Sequence, residues 1–178
     1  MQQISTKIFL GNSHDAIHSK DILKELGVTA ILNCAFDLHN NKLSHKDGFE
    51  IAQCGLVDGG GNNLYGMVSA ITQLASLILK GHVVLVHCHE GRSRSAFVIL
   101  CFLMAFLNDF DTDEQREIVL NETLSEMMEK SPDINMNSKH MEMIPDLPWA
   151  MLRKMRDTAE IRDIFNAETS QQGDKNES

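Results

Sequence analysis

Val86-His87-Cys88-His89-Glu90-Gly91-Arg92-Ser93-Arg94-Ser95 decides the reading of this 178-residue chain. Before it stands a short β-branched apolar run, residues 82–86, with Gly81 ahead of it; after it stands an almost wholly apolar segment, residues 96–107. The first reads as a buried strand. The second is too short to span a bilayer and reads as a buried core helix. Residues 88–95 must then be a loop running from a strand end into a helix N-terminus. The first amides of a helix lack internal partners, and with the loop amides and the helix dipole they form an anion site. Gly91 permits the tight curl that turns successive N–H groups inward. Arg94 adds a planar two-donor fork suited to two phosphate oxygens. Cys88 sits in this positive field, which favours thiolate over thiol and makes the sulfur an activated nucleophile. Ser95 is placed to hydrogen-bond the sulfur and improve it as a leaving group.

Attack on a phosphate ester also requires a general acid for the departing oxygen. Asp58 is the best candidate. It follows an expected strand over 50–57 and precedes Gly59-Gly60-Gly61-Asn62-Asn63, a loop able to swing a carboxylate over a pocket. Asp37 and Asp47 are weaker candidates, because neither ends a clear strand. His87-Cys88-His89 invites a metal reading, but adjacent residues at a strand end point in opposing directions and share one ion poorly.

The motif Val86-His87-Cys88-x-x-Gly91-x-Ser93-Arg94-Ser95-Ala96 resembles the signature of dual-specificity phosphatases, a branch of the cysteine-based protein tyrosine phosphatase superfamily. Ile8-Phe9-Leu10-Gly11-Asn12 with Asp15-Ala16 is similar to that family's opening strand and turn. Residues 26–35 are similar to its second strand, and Asp58 with Asn63-Leu64 to its acid loop and following helix. The resemblance covers roughly residues 7–107 and implies a definite chemistry. Cys88 would form a phosphocysteine intermediate, and Asp58 would act first as acid and then as base for water. Arg94 and the amides of His89, Glu90, Gly91, Arg92, Ser93 and Arg94 would hold the phosphate. Ser95 would assist departure of the sulfur, and His87 would tune the cysteine. No metal and no cofactor are expected. Glu90 departs from the family pattern, which carries a small residue there, and Arg92 is similar to the basic residue of relatives acting on phosphoinositides.

The bulk composition agrees. The net charge is −9 and the pI about 5.3, which disfavours nucleic-acid partners. No signal peptide or spanning segment is read, so no integral membrane association is expected. The four cysteines, Cys34, Cys54, Cys88 and Cys101, show no disulfide spacing and suit a reducing compartment. A cytoplasmic monomer is expected.

Further along the chain, strands are expected over 7–10, 28–34, 50–57 and 82–86, and helices near 18–26 and over 63–80 and 93–107. A loop rich in Asn, His and Lys runs to Gly48, and Gly81 stops a helix. Strands separated by helices predict an α/β fold: a single domain with a central, mostly parallel sheet flanked by helices. Thr112-Asp113-Glu114-Gln115 predicts a capping box opening a helix to about residue 129. Residues 131–144 read as an extended connection and 145–165 as the last helix. The catalytic domain is set at 1–166, with a polar, disordered tail over 167–178.

The expected function is hydrolysis of phosphotyrosine and phosphoserine/threonine in protein substrates. A phosphoinositide or small-metabolite phosphatase, motivated by Arg92, and a non-catalytic phospho-binding module, motivated by Glu90, are the alternatives. Cys34 reads as a small buried strand residue, with a reversible Cys34–Cys88 disulfide as the sharper option. Seven of the ten methionines lie between Met127 and Met155. They read as packing of a late helical region, with a cover beside the pocket as the alternative.

Overall fold

The apolar run before Cys88 becomes the middle strand of a five-stranded sheet. The computed structural model describes residues 1–38, 45–159 and 161–165. In chain order the strands are β1 (Gln2–Ser5), β2 (Ile8–Gly11), β3 (Ala30–Ala35), β4 (Glu50–Leu56) and β5 (Val84–His87). The helices are α1 (Ser13–His18), α2 (Lys20–Glu25), α3 (Leu64–Leu79), α4 (Arg94–Leu107), α5 (Asp113–Lys130), α6 (Ser138–Met141) and α7 (Trp149–Ala159). The sheet order is β1-β2-β5-β3-β4, parallel throughout except for the antiparallel pair β1–β2. This is the expected α/β domain with a mostly parallel sheet.

Every residue of β3 and β5 is buried, as strands covered on both faces must be. One face carries α4, flanked by α3, α5 and α7. The other packs Phe9, Ile31, Phe49 and Leu85 against Ala16 of α1 and Leu23 of α2. Residues 94–106 of α4 are buried without a break, so this helix is a core element rather than an amphipathic cover. The register levels the strand ends: Gly11 and Asn33 both pair with His87, and Ala35 pairs with Leu56. The segments following β2, β3, β4 and β5 therefore emerge along one edge, the carboxyl end where ligands gather in parallel sheets. They bring with them Ser13, Asp37, Asp58 and Cys88.

Helix ends follow the local chemistry. Asn63 caps α3 through a hydrogen bond from the Gly66 N–H, and Gly81 follows its last turn at φ +88°. Thr112 and Gln115 form the expected reciprocal box at the start of α5.

The helix expected near 18–26 is α2, and a further short helix that the sequence reading lacked, α1, precedes it across Ser19, opened by a capping box of Asn12 and Asp15. β1 has no counterpart in the sequence reading, because only Ile4 of its four residues is buried. The connection over 131–144 is not wholly extended: Asn137 caps α6 within it. The last helix starts at Trp149 and not at residue 145. Pro145 lies in a 3-10 turn (Ile144–Asp146), and Leu147, before Pro148, is held extended at ψ 140°. Residues 161–165 are again helical. The expected tail over 167–178 and residues 39–44 of the loop leading to Gly48 lie outside the described residues.

The methionines divide. Met127 is buried, Met136, Met141 and Met143 pack on the core, and Met128, Met151 and Met155 are exposed. No helix among the described residues is long and apolar enough to cross a membrane.

Phe102 is fully buried at the centre of α4 and stacks on Phe106 with ring centroids 4.9 Å apart. Phe102→Ala is expected to cost about 3–5 kcal/mol through lost burial and an unfilled cavity. Urea unfolding checks this: the midpoint should fall with little change in slope.

Candidate active site

Cys88 follows directly on β5 and is almost completely buried. Two donors reach its sulfur: the Gly91 N–H at 3.3 Å and the Ser95 hydroxyl at 3.3 Å. Burial alone would push this thiol up. The Ser95 hydroxyl, the Ser95 and Gly91 amides and the Arg94 charge outweigh burial and bring it below its ordinary value. Gly91 adopts φ +72°, and a Cβ there would collide with the Gly11 carbonyl. Only glycine allows both the curl and the close approach to the end of β2. Ser13, at the start of α1, braces the loop from outside by donating its N–H (3.0 Å) and hydroxyl (3.1 Å) to the His89 carbonyl.

Ser93 occupies the N-cap of α4 but makes no side-chain cap. Its hydroxyl oxygen instead accepts from the Asn137 N–H at 3.0 Å. The opening amides of α4 are thus left without a side-chain cap beside Cys88, the arrangement an anion site requires.

Arg94 is buried. Its Nη1 donates to Asp37 Oδ1 at 2.8 Å and to the Leu56 carbonyl at 3.2 Å, and its Nη2 lies 3.6 Å from Asp58 Oδ2. Its buried Nε has no partner among the described residues. A buried, unsatisfied guanidinium donor next to an activated sulfur is what an incoming oxyanion would complete. Asp37 also meets His89 Nε2 at 2.9 Å. The Arg94 hydrogen bond, with the Arg94 and His89 charges, holds the Asp37 carboxyl below its usual range despite some desolvation.

His87 is buried behind the loop, and burial pushes it down to about 4. Its Nδ1 lies 3.3 Å from the Cys88 carbonyl, which can only accept, so the neutral ring carries its proton there. His87 and His89 therefore turn to different partners and do not converge on Cys88. Glu90 is mostly exposed and lies 3.6 Å from Arg92 Nη1, while Arg92 Nε donates to the Asp133 carbonyl at 2.8 Å. Glu90 is thus drawn outward toward Arg92. Cys34 contacts Cys54 on the neighbouring strand, and burial raises its thiol well above the ordinary value, with Cys54 and Cys88 adding to the rise.

These groups line a cleft of about 560 Å³ bounded by Asp37, Asp58, Cys88, His89, Glu90, Arg92, Ser93 and Arg94, with Asn135, Met136 and Asn137 closing one side. Of the residues expected from sequence, His87 lies behind the cleft, while Ser95 and Gly91 act from beneath through the sulfur. Asp47 is not a lining residue and pairs with Lys20 at 2.6 Å. Sequence reading missed Ser13, Asn62, Asn137 and His140 and weighed Asp37 only as an acid. None belongs to a motif; each reaches the site through tertiary contacts.

The fold and cleft together set a buried cysteine beside an arginine and two carboxylates, the arrangement that the motif around Cys88 implies for a cysteine-type phosphatase. Residues 8–147 match the family model described as dual specificity phosphatase, catalytic domain, and the chain belongs to that family. It is 31% identical over 133 residues to dual specificity protein phosphatase 19 of Mus musculus, an alignment covering 74% of this chain and 55% of that protein. The chain thus spans about half the length of this relative. The crystal structure of DUSP15 superposes with a TM-score of 0.72 at 20% identity, covering 91% of this chain and 96% of that one. That of PTPMT1 in complex with PI(5)P superposes with a TM-score of 0.62 at 16% identity, covering 90% and 97%. These two likenesses establish the fold.

The hydrogen bond from Ser95 yields a direct expectation. Alkylation of Cys88 by iodoacetamide requires thiolate, so the rate should fall only as pH drops through a midpoint below the ordinary thiol value of about 8.5. Ser95→Ala should move that midpoint up by about one unit, the shift that loss of one such bond to the thiolate produces.

Proposed function

We propose that this protein hydrolyses phosphate monoesters on proteins, phosphotyrosine and phosphoserine/threonine alike, through a phosphocysteine intermediate. The observation that carries the reading is the Cys88 sulfur, held by two hydrogen bonds at the floor of a cleft where buried Arg94 meets Asp58. In the first step the Cys88 thiolate attacks phosphorus. The S–P bond forms, the ester P–O bond breaks, and the leaving oxygen takes the proton of the Asp58 carboxyl. Arg94 and the loop amides hold the non-bridging oxygens, supplying the charge stabilisation that phosphoryl transfer depends on. In the second step the Asp58 carboxylate takes a proton from water as its oxygen attacks phosphorus. The S–P bond breaks, inorganic phosphate leaves, and the Ser95 hydroxyl and Gly91 amide receive the returning negative charge on sulfur.

The rim supports a protein substrate over a polyanionic lipid headgroup. Asp37, Asp58 and Glu90 face the opening, against His89 and Arg92. Arg92, the residue that motivates the phosphoinositide reading, is engaged by Glu90 and the Asp133 carbonyl. A ligand carrying several phosphates would meet three carboxylates there. The non-catalytic reading is less favoured, because its motivating residue, Glu90, lies 3.6 Å from Arg92 Nη1. Four free cysteines, one of them the nucleophile, suit a reducing compartment such as the cytoplasm.

Cys88→Ser should abolish turnover of an aryl phosphate. Asp58→Asn should slow turnover of an ester with a poor leaving group by about 10²- to 10⁴-fold while phosphate binding is retained. Steady-state kinetics and competitive inhibition by inorganic phosphate check both; near-normal turnover of phenyl phosphate by Asp58→Asn would remove Asp58 from the mechanism. Assayed in parallel, phosphopeptides should be turned over more efficiently than soluble inositol phosphates, and the reverse order would favour the metabolite reading.

A further inference from the structure

His140 is a fully buried ionisable side chain to which the chemistry above assigns no part. It stands on α6 between the two loops that must cooperate. On one side the segment before it runs along the phosphate loop: the Asn135 N–H donates to the Arg92 carbonyl at 3.0 Å, and the Asn137 N–H to Ser93 Oγ at 3.0 Å. His140 Nδ1 lies 3.4 Å from the same Ser93 oxygen. On the other side is the acid loop. There the Asn62 side chain clasps Val57, its Oδ1 accepting the Val57 N–H at 2.8 Å and its Nδ2 donating to the Val57 carbonyl at 2.8 Å. This clasp closes the turn that carries Asp58. His140 Nε2 lies 3.1 Å from Asn62 Nδ2.

The clasp determines which way the Asn62 amide points, because the Val57 N–H requires its oxygen and the Val57 carbonyl its nitrogen. The group facing His140 Nε2 is therefore an N–H donor. Nε2 must offer a lone pair, so the ring proton sits on Nδ1 and is donated to Ser93. Ser93 Oγ then accepts from both His140 and Asn137, and its own hydrogen is free to turn into the cleft that it lines. The competing contact, from Nε2 to the Val57 carbonyl, has the same 3.4 Å length as the one to Ser93, but a proton on Nε2 would face the Asn62 N–H at 3.1 Å, and that carbonyl already receives Asn62. The link from Asn62 requires a neutral ring, which burial and, more weakly, the Arg94 charge favour; the Val57 carbonyl and the Asp58 charge act in the opposite sense.

We propose that His140 is a positioning residue that latches the acid loop to the phosphate loop, through a bond from Asn62 to Nε2 and a bond from Nδ1 to Ser93. The latch holds the turn bearing Asp58 over Cys88 and presents the Ser93 hydrogen to the bound phosphate. It rests on the reading of Asp58 as the general acid. A latch of this kind acts when the leaving oxygen needs a proton, and much less when the leaving group departs unaided.

Two measurements on the full chain test it. Long-range ¹H–¹⁵N correlation spectra of the unaltered protein report the tautomer of the His140 ring: a protonated Nδ1 with a bare Nε2 is expected, and a proton on Nε2 would overturn the proposal. The second measurement compares His140→Phe, His140→Gln and Asp58→Asn on aryl phosphates of graded leaving ability. Phenylalanine keeps a ring against Phe97, now 5.5 Å away between centroids, and deletes both nitrogens. His140→Phe should lower kcat on phenyl phosphate by about tenfold, the scale of a misplaced catalytic group, with KM little changed and less than about threefold loss on p-nitrophenyl phosphate. His140→Gln, whose amide oxygen can accept from Asn62, should restore most of the loss. A steep dependence on the leaving group in Asp58→Asn, with a flat one in His140→Phe, would sink the latch and leave the acid standing. A flat dependence in Asp58→Asn would instead remove the acid.

Discussion

A cysteine sulfur kept below the protein surface, with its thiol lowered from the ordinary value, is the constraint on which the rest of this structure depends. An unpaired charge in a buried site is costly, so the Cys88 sulfur needs donors placed before any substrate arrives. Gly91 and Ser95 supply hydrogen bonds, and Arg94 supplies opposite charge. Each of these places a demand on the fold. The Gly91 amide requires a left-handed curl pressed against the end of β2. Ser95 requires α4 to start directly after the loop, so that the second residue of the helix lies against the sulfur. Arg94, buried with its charge, requires Asp37 and the Leu56 carbonyl to hold its guanidinium.

The sheet meets these demands through register. With β2 and β3 level on β5, the strand ends put Ser13, Asp37 and Cys88 along one edge, and the pairing of β4 with β3 adds Asp58. α4 serves two purposes at once. Its N-terminus offers uncapped amides to an anion, while its remaining turns form the centre of the hydrophobic core. The rigidity of that core is what lets a loop hold donors to within a few tenths of an ångström. The diversion of the Ser93 side chain away from capping also becomes intelligible. A capped helix would satisfy the amides that the anion needs.

Much of this was legible in the chain because it is local. Strand, loop and helix around Cys88 follow from a β-branched run, a glycine and an apolar segment that are contiguous in sequence. The α5 capping box and the Gly81 stop are likewise short-range. Asp58 stood out in the sequence because it lies just past a strand and precedes glycines. β1 was missed because an edge strand with one buried residue carries almost no alternating signal. α6 was missed because four residues of helix have no period to detect, and the onset of α7 was misplaced because Pro148 acts on Leu147 before it.

The sequence by itself determined the family of this protein: a cysteine, an arginine and a serine spaced on one strand–loop–helix turn form a contiguous motif, and a contiguous motif is legible without any tertiary contact. Tertiary structure alone decided how the cradle is completed. Asp37 on Arg94, Ser13 behind His89, Arg92 on the Asp133 carbonyl, and His140 between Ser93 and Asn62 are meetings of residues distant along the chain, brought together by strand register and helix packing. Such contacts depend on the burial of the whole core, and no short window of sequence contains them.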